Sequence, residues 1–380
     1  MDIPNQIQFW FHPISGGSGI QYFIEYYYKM NFLMYEKDKV DLKKTNILIF
    51  LWEPKNEHTK NFDFKTNKPE FFDLLIQAKE LGFIFLADYT TESNFHVDSE
   101  REDFLDKLSE IGINYKNFYL VTNISNFKHQ IVKYGKHSMN YIHFPHFLMA
   151  TPIEMMKYVE NFDVLENRHT SKNFLCLNRR MHSHKFKFLK SLWTHGLLEE
   201  THWSWVCNYI NLNDYASDNF IKYLGVDVDN FSSIQLSDDV LYGTQLDKAD
   251  QFLYTINPKW YYDSKVNVIV ESNFGNRPIH ITEKTFKPIF LGIPFVIFAS
   301  KGHLEKLKEI GFDCFQSVIG DYDCTNEDSV IESSLKLMEK YNSDEVIAIC
   351  KKNQSVLLDK TNQKNIIYKY FLSNFKKSAI

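Results

Sequence analysis

Nowhere in the 380 residues does an uninterrupted apolar run of about 18 residues occur, so no stretch of the sequence is a candidate membrane-spanning helix. The opening MDIPNQIQFWF also lacks a basic segment followed by an apolar one, the pattern of a secretory leader, and the expected compartment is the cytoplasm. Cysteine is scarce and odd in number: five residues, Cys176, Cys207, Cys314, Cys324 and Cys350, with no C-x-x-C spacing. That excludes a disulfide framework and a zinc knuckle, and leaves thiols in a reducing compartment. No basic stripe is present. With 43 Lys and Arg against 48 Asp and Glu, the net charge is −5 and the cations are scattered, which argues against a broad footprint on nucleic acid. H-E-x-x-H, the facial triad, G-x-G-x-x-G and G-K-[ST] are all missing, as are internal repeats and low-complexity tracts.

What is present belongs to a folded protein: 44% apolar and 24% charged residues, with length enough for two domains, each with its own core. Phe and Tyr are abundant, at 33 and 22, and most of these rings are expected in the core rather than on a stacking surface. IQFWFHP, SGGSG and IQYFIEYYYKMNFL read as strand, glycine-rich turn and helix. NILIFLWEP, FIFLADYTTES and NFYLVTNIS read as further strands, separated by the helices FFDLLIQAKELG, stopped at Gly82, and FLDKLSEIG. The pattern lapses near 151–170 and restarts with KNFLCLNRR, a strand with a basic tip, and the helix HSHKFKFLKSLWTHGLLE. Residues 208–250 are uninformative; VNVIVESNF, KTFKPIFLG and IPFVIFAS then read as strand, helix and strand, and the remainder as helical. Strands alternating with helices predict parallel sheets covered on both faces. The fold class is α/β, with two Rossmann-like domains facing across a cleft: residues 1–155 on the acceptor side, 156–350 on the nucleotide-sugar side, and a helix at 351–380 that packs back on the first domain. Ligands in such sheets gather at the carboxyl ends of strands.

Four constellations fall at those ends. In ITEKTFKP, Thr282 as N-cap puts Glu283 and Lys284 in the first turn of a helix, where Lys284 meets a phosphate and Glu283 accepts from vicinal ribose hydroxyls. A helix-capping acid beside a solvated lysine is the plainer alternative. In LCLNRRMHSHK, Arg179 and Arg180 begin a basic loop suited to a diphosphate, Asn178 fixes the turn, and His182 and His184 read as ordinary surface residues. In HPISGGSG the small residues, Gly16 and Gly17 among them, let backbone approach a ligand. From the first half come carboxylates that can take a proton from an attacking hydroxyl. Asp88 lies near a rigid strand end and Glu92 has the longer reach, with Glu53 and His12 as remaining candidates. Asp321 and Asp323 are the one weak suggestion of a metal site.

With the Arg-Arg tip, ESNFGNRPIHITEKTFKP and LGIPFVIFAS taken together, the chain resembles the two-Rossmann-domain glycosyltransferases of bacteria, large viruses and phages, and more distantly the fucosyltransferases. The resemblance covers about 172–315 and is thin over 1–160. It implies an inverting, metal-independent transferase with no cofactor, moving a sugar from a nucleotide-diphosphate donor to a glycan or other hydroxyl acceptor. It also implies donor binding by Arg179, Arg180, Glu271, Thr282, Glu283 and Lys284, and a base from the first domain, Glu92 or Asp88. His280 or Ile281 stands where the fucosyltransferases have tyrosine, and no segment marks guanine specificity, so the donor base stays open. The competing readings are a sugar-phosphate epimerase, an enzyme glycosylating modified bases in DNA, and a non-catalytic sugar-binding protein.

Overall fold

The computed structural model describes residues 7–11, 19–28, 33–51, 69–89, 99–123, 130–134, 137–156, 168–208, 210–215, 217–225, 256 and 258–375. The chain forms two compact units, Met1–Met149 together with Lys360–Ile380, and Ala150–Asp359.

The first unit runs β1 (Ile7–Phe11), α1 (Gly19–Tyr28), β2 (Leu33–Met34), β3 (Thr45–Leu51), α2 (Pro69–Glu80), β4 (Ile84–Tyr89), α3 (Ser99–Glu110), β5 (Phe118–Thr122), β6 (Gln130–Tyr134) and β7 (His137–His143). The strands form one sheet, ordered β2-β1-β3-β4-β5-β7-β6, in which every neighbouring pair is parallel except β6 with β7. β3 is apolar almost throughout, and Ile47, Leu48, Ile49 and Phe50 are all buried, as befits a central strand covered on both faces. On α2 the spacing Phe71, Leu75, Ala78 makes a buried stripe that packs with Phe50, Phe104 and Phe118. β6 is absent from the sequence pattern read above. QIVKY pairs antiparallel with β7 at the sheet edge, and no continuous apolar run marks the strand in the sequence.

The second unit starts within α4 (His146–Met155) and continues β8 (Lys172–Met181), α5 (Ser183–Thr194), β9 (Thr201–Asn208), α6 (Asn219–Leu224), α7 (Pro258–Tyr262) and β10 (Ser264–Gly275). It closes with α8 (Glu283–Phe290), β11 (Phe295–Ser300), α9 (His303–Glu309), α10 (Gln316–Ile319), α11 (Glu327–Glu339) and α12 (Asp344–Leu358). Its sheet is wholly parallel, ordered β11-β10-β8-β9. The chain leaves β8 for β9 on one side and later enters β10 on the other, so the β8/β10 junction is where the winding reverses. α8 stops where the glycine was expected to stop it. Gly292 adopts φ 65°, its N–H donates to Ile289 O at 3.1 Å, and Ile293 N–H donates to Pro288 O at 2.8 Å.

The last helix, α13 (Lys360–Tyr370), belongs to the first unit. Tyr28 OH donates to Lys364 O at 2.6 Å, and the Phe371 and Phe375 rings meet Phe144 and Tyr119 edge-on at 5.2 and 5.4 Å. The sequence reading placed boundaries at 155/156 and 350/351. The second unit instead keeps all of α12, because buried Asn353 is tied to Asp313 in both directions, accepting its N–H and donating to its C=O at 2.8 Å each. Among the described residues no helix is long and apolar enough to cross a membrane.

Arg168 holds the edge of the second unit. Its Nη1 donates to Tyr261 O (3.1 Å) and Ser264 O (3.0 Å), and its Nη2 to Lys265 O (3.2 Å). Three carbonyls from one turn thus converge on one guanidinium, and a point-charge donor does not reproduce that fork. Arg168→Met is expected to destabilise this unit by roughly 2–4 kcal/mol, and Arg168→Lys to recover only part of the loss, both read from denaturant midpoints at unchanged slope.

Candidate functional site

β10 is apolar from Val268 to Val270 and then places a carboxylate, Glu271, in the interior, with no measurable exposure. Such a group needs donors on every lone pair it can offer. The start of α8 supplies them. Thr282 N–H donates to Oε1 at 3.1 Å and the Thr285 hydroxyl to the same oxygen at 2.6 Å; the Thr282 hydroxyl reaches Oε2 at 2.7 Å, joined there by Ser272 N–H at 3.2 Å. Burial pushes the Glu271 carboxyl up, but Lys284, His303 and the two hydroxyls outweigh it and hold the group at about 2. Glu271 is therefore an ionised clasp between β10 and the first turn of α8.

Thr282 also caps the helix, its Oγ1 accepting Lys284 N–H at 3.3 Å, as the T-E-K spacing predicts. The Lys284 ammonium sits among Ser272 Oγ (3.3 Å), Thr282 Oγ1 (3.3 Å) and Glu283 Oε1 (3.1 Å), with its side chain 23% exposed. Glu283 is nearly buried. Desolvation raises its carboxyl, while Lys284 and Lys287 draw it below the ordinary value. Acid and base adjoin in the sequence because one helix start uses both: a carboxylate at the positive end of the helix, and an ammonium beside that carboxylate.

Across the sheet reversal stands the start of α5. The sequence reading made Arg179 and Arg180 the opening of a basic loop, whereas β8 runs through Met181 and only His182 separates it from the helix. A parallel neighbour, β9, extends the strand by pairing Arg180 with Cys207 and Met181 with Asn208. His184, expected on the surface, is turned inward: its Nε2 lies 3.0 Å from Glu271 O. A carbonyl only accepts, so Nε2 carries the proton and Nδ1 is left as the acceptor. Burial lowers the ring to about 4, with Lys185, His182 and Arg277 adding to the effect. The His184 ring is nearly parallel to Phe274 and His182, with centroids 5.4 and 6.1 Å away.

One residue further along α5, Lys185 is among the largest fully buried side chains. Burial, followed by Lys284, lowers it to about 7 against the pull of Glu271 and Glu283. Two buried histidines complete the surroundings: His280, lowered to about 4 by burial, and His303, lowered likewise although Glu271 opposes the change. Sequence reasoning missed Lys185, His303 and Thr285. Only Thr285 left a signal, since T-x-x-T at the start of a helix puts both hydroxyls on one side.

In the first unit, β4 continues to Tyr89, so Asp88 lies at the end of the strand, where the sequence reading had it. It is buried and its Oδ2 accepts Ile20 N–H at 3.2 Å, fixing the first turn of α1. Glu92, Glu53, His12, Gly16 and Gly17 lie outside the described residues. Asp323 accepts Thr325 N–H and Oγ–H within its own turn, at 2.8 and 2.7 Å, and between it and Asp321 the buried Tyr322 hydroxyl accepts Ile297 N–H at 3.1 Å. Among the described residues no group of three or more His, Cys, Asp or Glu converges as metal ligands.

No protein-family model matches the chain, and a search of the curated proteins finds no match. The chemistry of the site rests on its own geometry: at the reversal of a parallel sheet, two helix starts, an anchored ammonium and a second, buried ammonium converge, an arrangement suited to an anion.

Proposed function

We propose that the chain is a glycosyltransferase that moves a sugar from a nucleotide-diphosphate donor to a hydroxyl acceptor, with inversion and without a metal ion. The observation that carries this reading is the clasped start of α8 at the end of β10, where Glu271 holds Thr282 and thereby sets Glu283 and Lys284. In the proposal, Lys284 together with Arg179 and Arg180 takes the charge that grows on the leaving diphosphate. Glu283 accepts ribose hydroxyls at the same helix start. Glu271 acts through the helix rather than on the ligand, since four donors already fill its oxygens. The acceptor hydroxyl loses its proton to a carboxylate as its oxygen attacks the anomeric carbon. Because Asp88 is buried and bound to α1, we assign that task to Glu92.

The test is a panel of nucleoside diphosphate sugars differing in base and sugar, incubated with the full chain with and without excess EDTA. Expected is release of nucleoside diphosphate from at least one donor, at the same rate in EDTA. Strict dependence on Mg²⁺ or Mn²⁺ would overturn the metal-free clamp. Failure of every donor to bind at millimolar concentration would overturn the reading as a whole.

A further inference from the structure

Lys185 is the least expected residue of the site. A lysine in the first turn of a helix ordinarily extends into water, and an ammonium is buried only with partners. Here the side chain is enclosed, 2% exposed. It lies on the face of β8 that carries Cys176 and Asn178, close enough to both Glu271 and Glu283 to feel their charge. The same face supplies a second anomaly: Asn178, fully buried, donates through Nδ2 to Cys176 Sγ at 3.4 Å, while its Oδ1 has no partner. A buried ammonium beside a buried acceptor that has no partner, at the sheet reversal, indicates a site completed by something other than the protein.

We propose that Lys185 is a binding residue for the diphosphate, a second ammonium lying behind Lys284. This rests on the reading above, that a phosphate-bearing ligand occupies the α8 start. Two lysines beside two carboxylates leave the empty site close to neutral when Lys185 is charged, and each ammonium makes the other harder to protonate. A diphosphate reverses that balance: its oxygens accept from the Lys185 ammonium, and Asn178 Oδ1 offers an acceptor for another of its N–H groups. Lys185 in the free protein is poised near neutrality, so it arrives at the anion by taking up a proton.

The other titratable groups facing this volume are Glu271, Glu283 and Lys284 from β10 and α8, His182 and His184 from the start of α5, Arg277 and His280 from the β10–α8 connection, His303 from α9, and Cys176 from β8. His184 and His280 lie near 4 and are neutral at the pH of the test. Both glutamates are already ionised, and the Cys176 thiol, pushed to about 12 by burial, remains protonated.

The experiment is calorimetric titration of the full chain with inorganic pyrophosphate and with the common nucleoside diphosphates near pH 7.5, in two buffers of different ionisation enthalpy. The wild type is expected to take up a fraction of a proton per ligand bound. Lys185→Met, which fills the same space without charge, is expected to bind roughly ten- to a hundredfold more weakly with that uptake abolished. It is also expected to melt at higher temperature, because a buried ammonium has been removed. Wild-type affinity in Lys185→Met, or an uptake that survives the substitution, overturns the assignment while leaving the transferase reading intact. Proton-neutral binding by the wild type, which needs no variant to observe, overturns it as well. Binding of neither pyrophosphate nor any nucleoside diphosphate by the wild type removes both.

Discussion

Glu271→Ala is expected to destabilise the second unit by about 3–5 kcal/mol, with the start of α8 loosening first. The substitution removes one carboxylate and strands four donors, two of them threonine hydroxyls, and takes from the Lys284 ammonium one of the two buried carboxylates whose charge it shares. Glu271→Gln keeps the volume and should cost less, since the amide oxygen still accepts from one hydroxyl and one N–H, and of the two donors its NH₂ meets, the hydroxyl can rotate while the backbone N–H cannot. Amide hydrogen exchange over 264–290 separates this local loosening from global unfolding. The pH dependence has a definite sign. Because the folded-state pKa of Glu271 is depressed to about 2 from an ordinary 4.5, the stability owed to its ionisation is fully present above the upper value and is lost as the pH falls toward the lower. Wild-type stability should therefore decline in acid over that window, and the Gln variant should decline less. Equal acid sensitivity in the two proteins would show that Glu271 is not the clasp.

For Lys284→Ala the expected loss is in rate: about 10²- to 10³-fold in donor turnover at saturating donor, with binding of the bare nucleoside nearly unchanged. The ammonium lies at the helix start where, in the proposed reaction, negative charge accumulates as the sugar departs, so its contribution grows between bound donor and transition state. Removing it also leaves Glu283 buried without its 3.1 Å partner, so the variant's melting temperature must be measured alongside. Lys284→Arg retains the charge, and by keeping stability while only partly restoring the rate it separates folding from catalysis. Undiminished turnover at saturating donor by a folded Lys284→Ala would end the assignment of Lys284 to the diphosphate.

The sequence was legible wherever the local pattern and the long-range fold imposed the same residues. Thr282 as cap, Gly292 as stop and the apolar run before Glu271 each follow from backbone requirements that a few neighbouring residues state in full. β6 and β9 were not legible. No continuous apolar run marks QIVKY, and THWSWVCN declares itself only once β8 lies beside it. The site divided in the same way. Glu283 and Lys284 stand out as a charged pair ahead of an apolar helix. Lys185 looks like any lysine of an amphipathic helix, because its burial depends on β8, β10 and α8 meeting around it. Asp88 misled for the converse reason. The acid at the end of FIFLA reads as a carboxylate available to a substrate, yet it is buried and bound to a helix 68 residues earlier.

The return of α13 to the first unit sets an order of events during biosynthesis. Ribosomes release a chain from its amino end, and domains ordinarily fold in that order. Here the first unit lacks Tyr370, Phe371 and Phe375, all buried, until the last part of the chain has emerged, whereas every residue of Ala150–Asp359 is already available. The unit encoded in the middle can therefore complete its core before the unit encoded first. A premature stop shortly after Asp359 would injure the beginning of the protein and spare the segment beside the break.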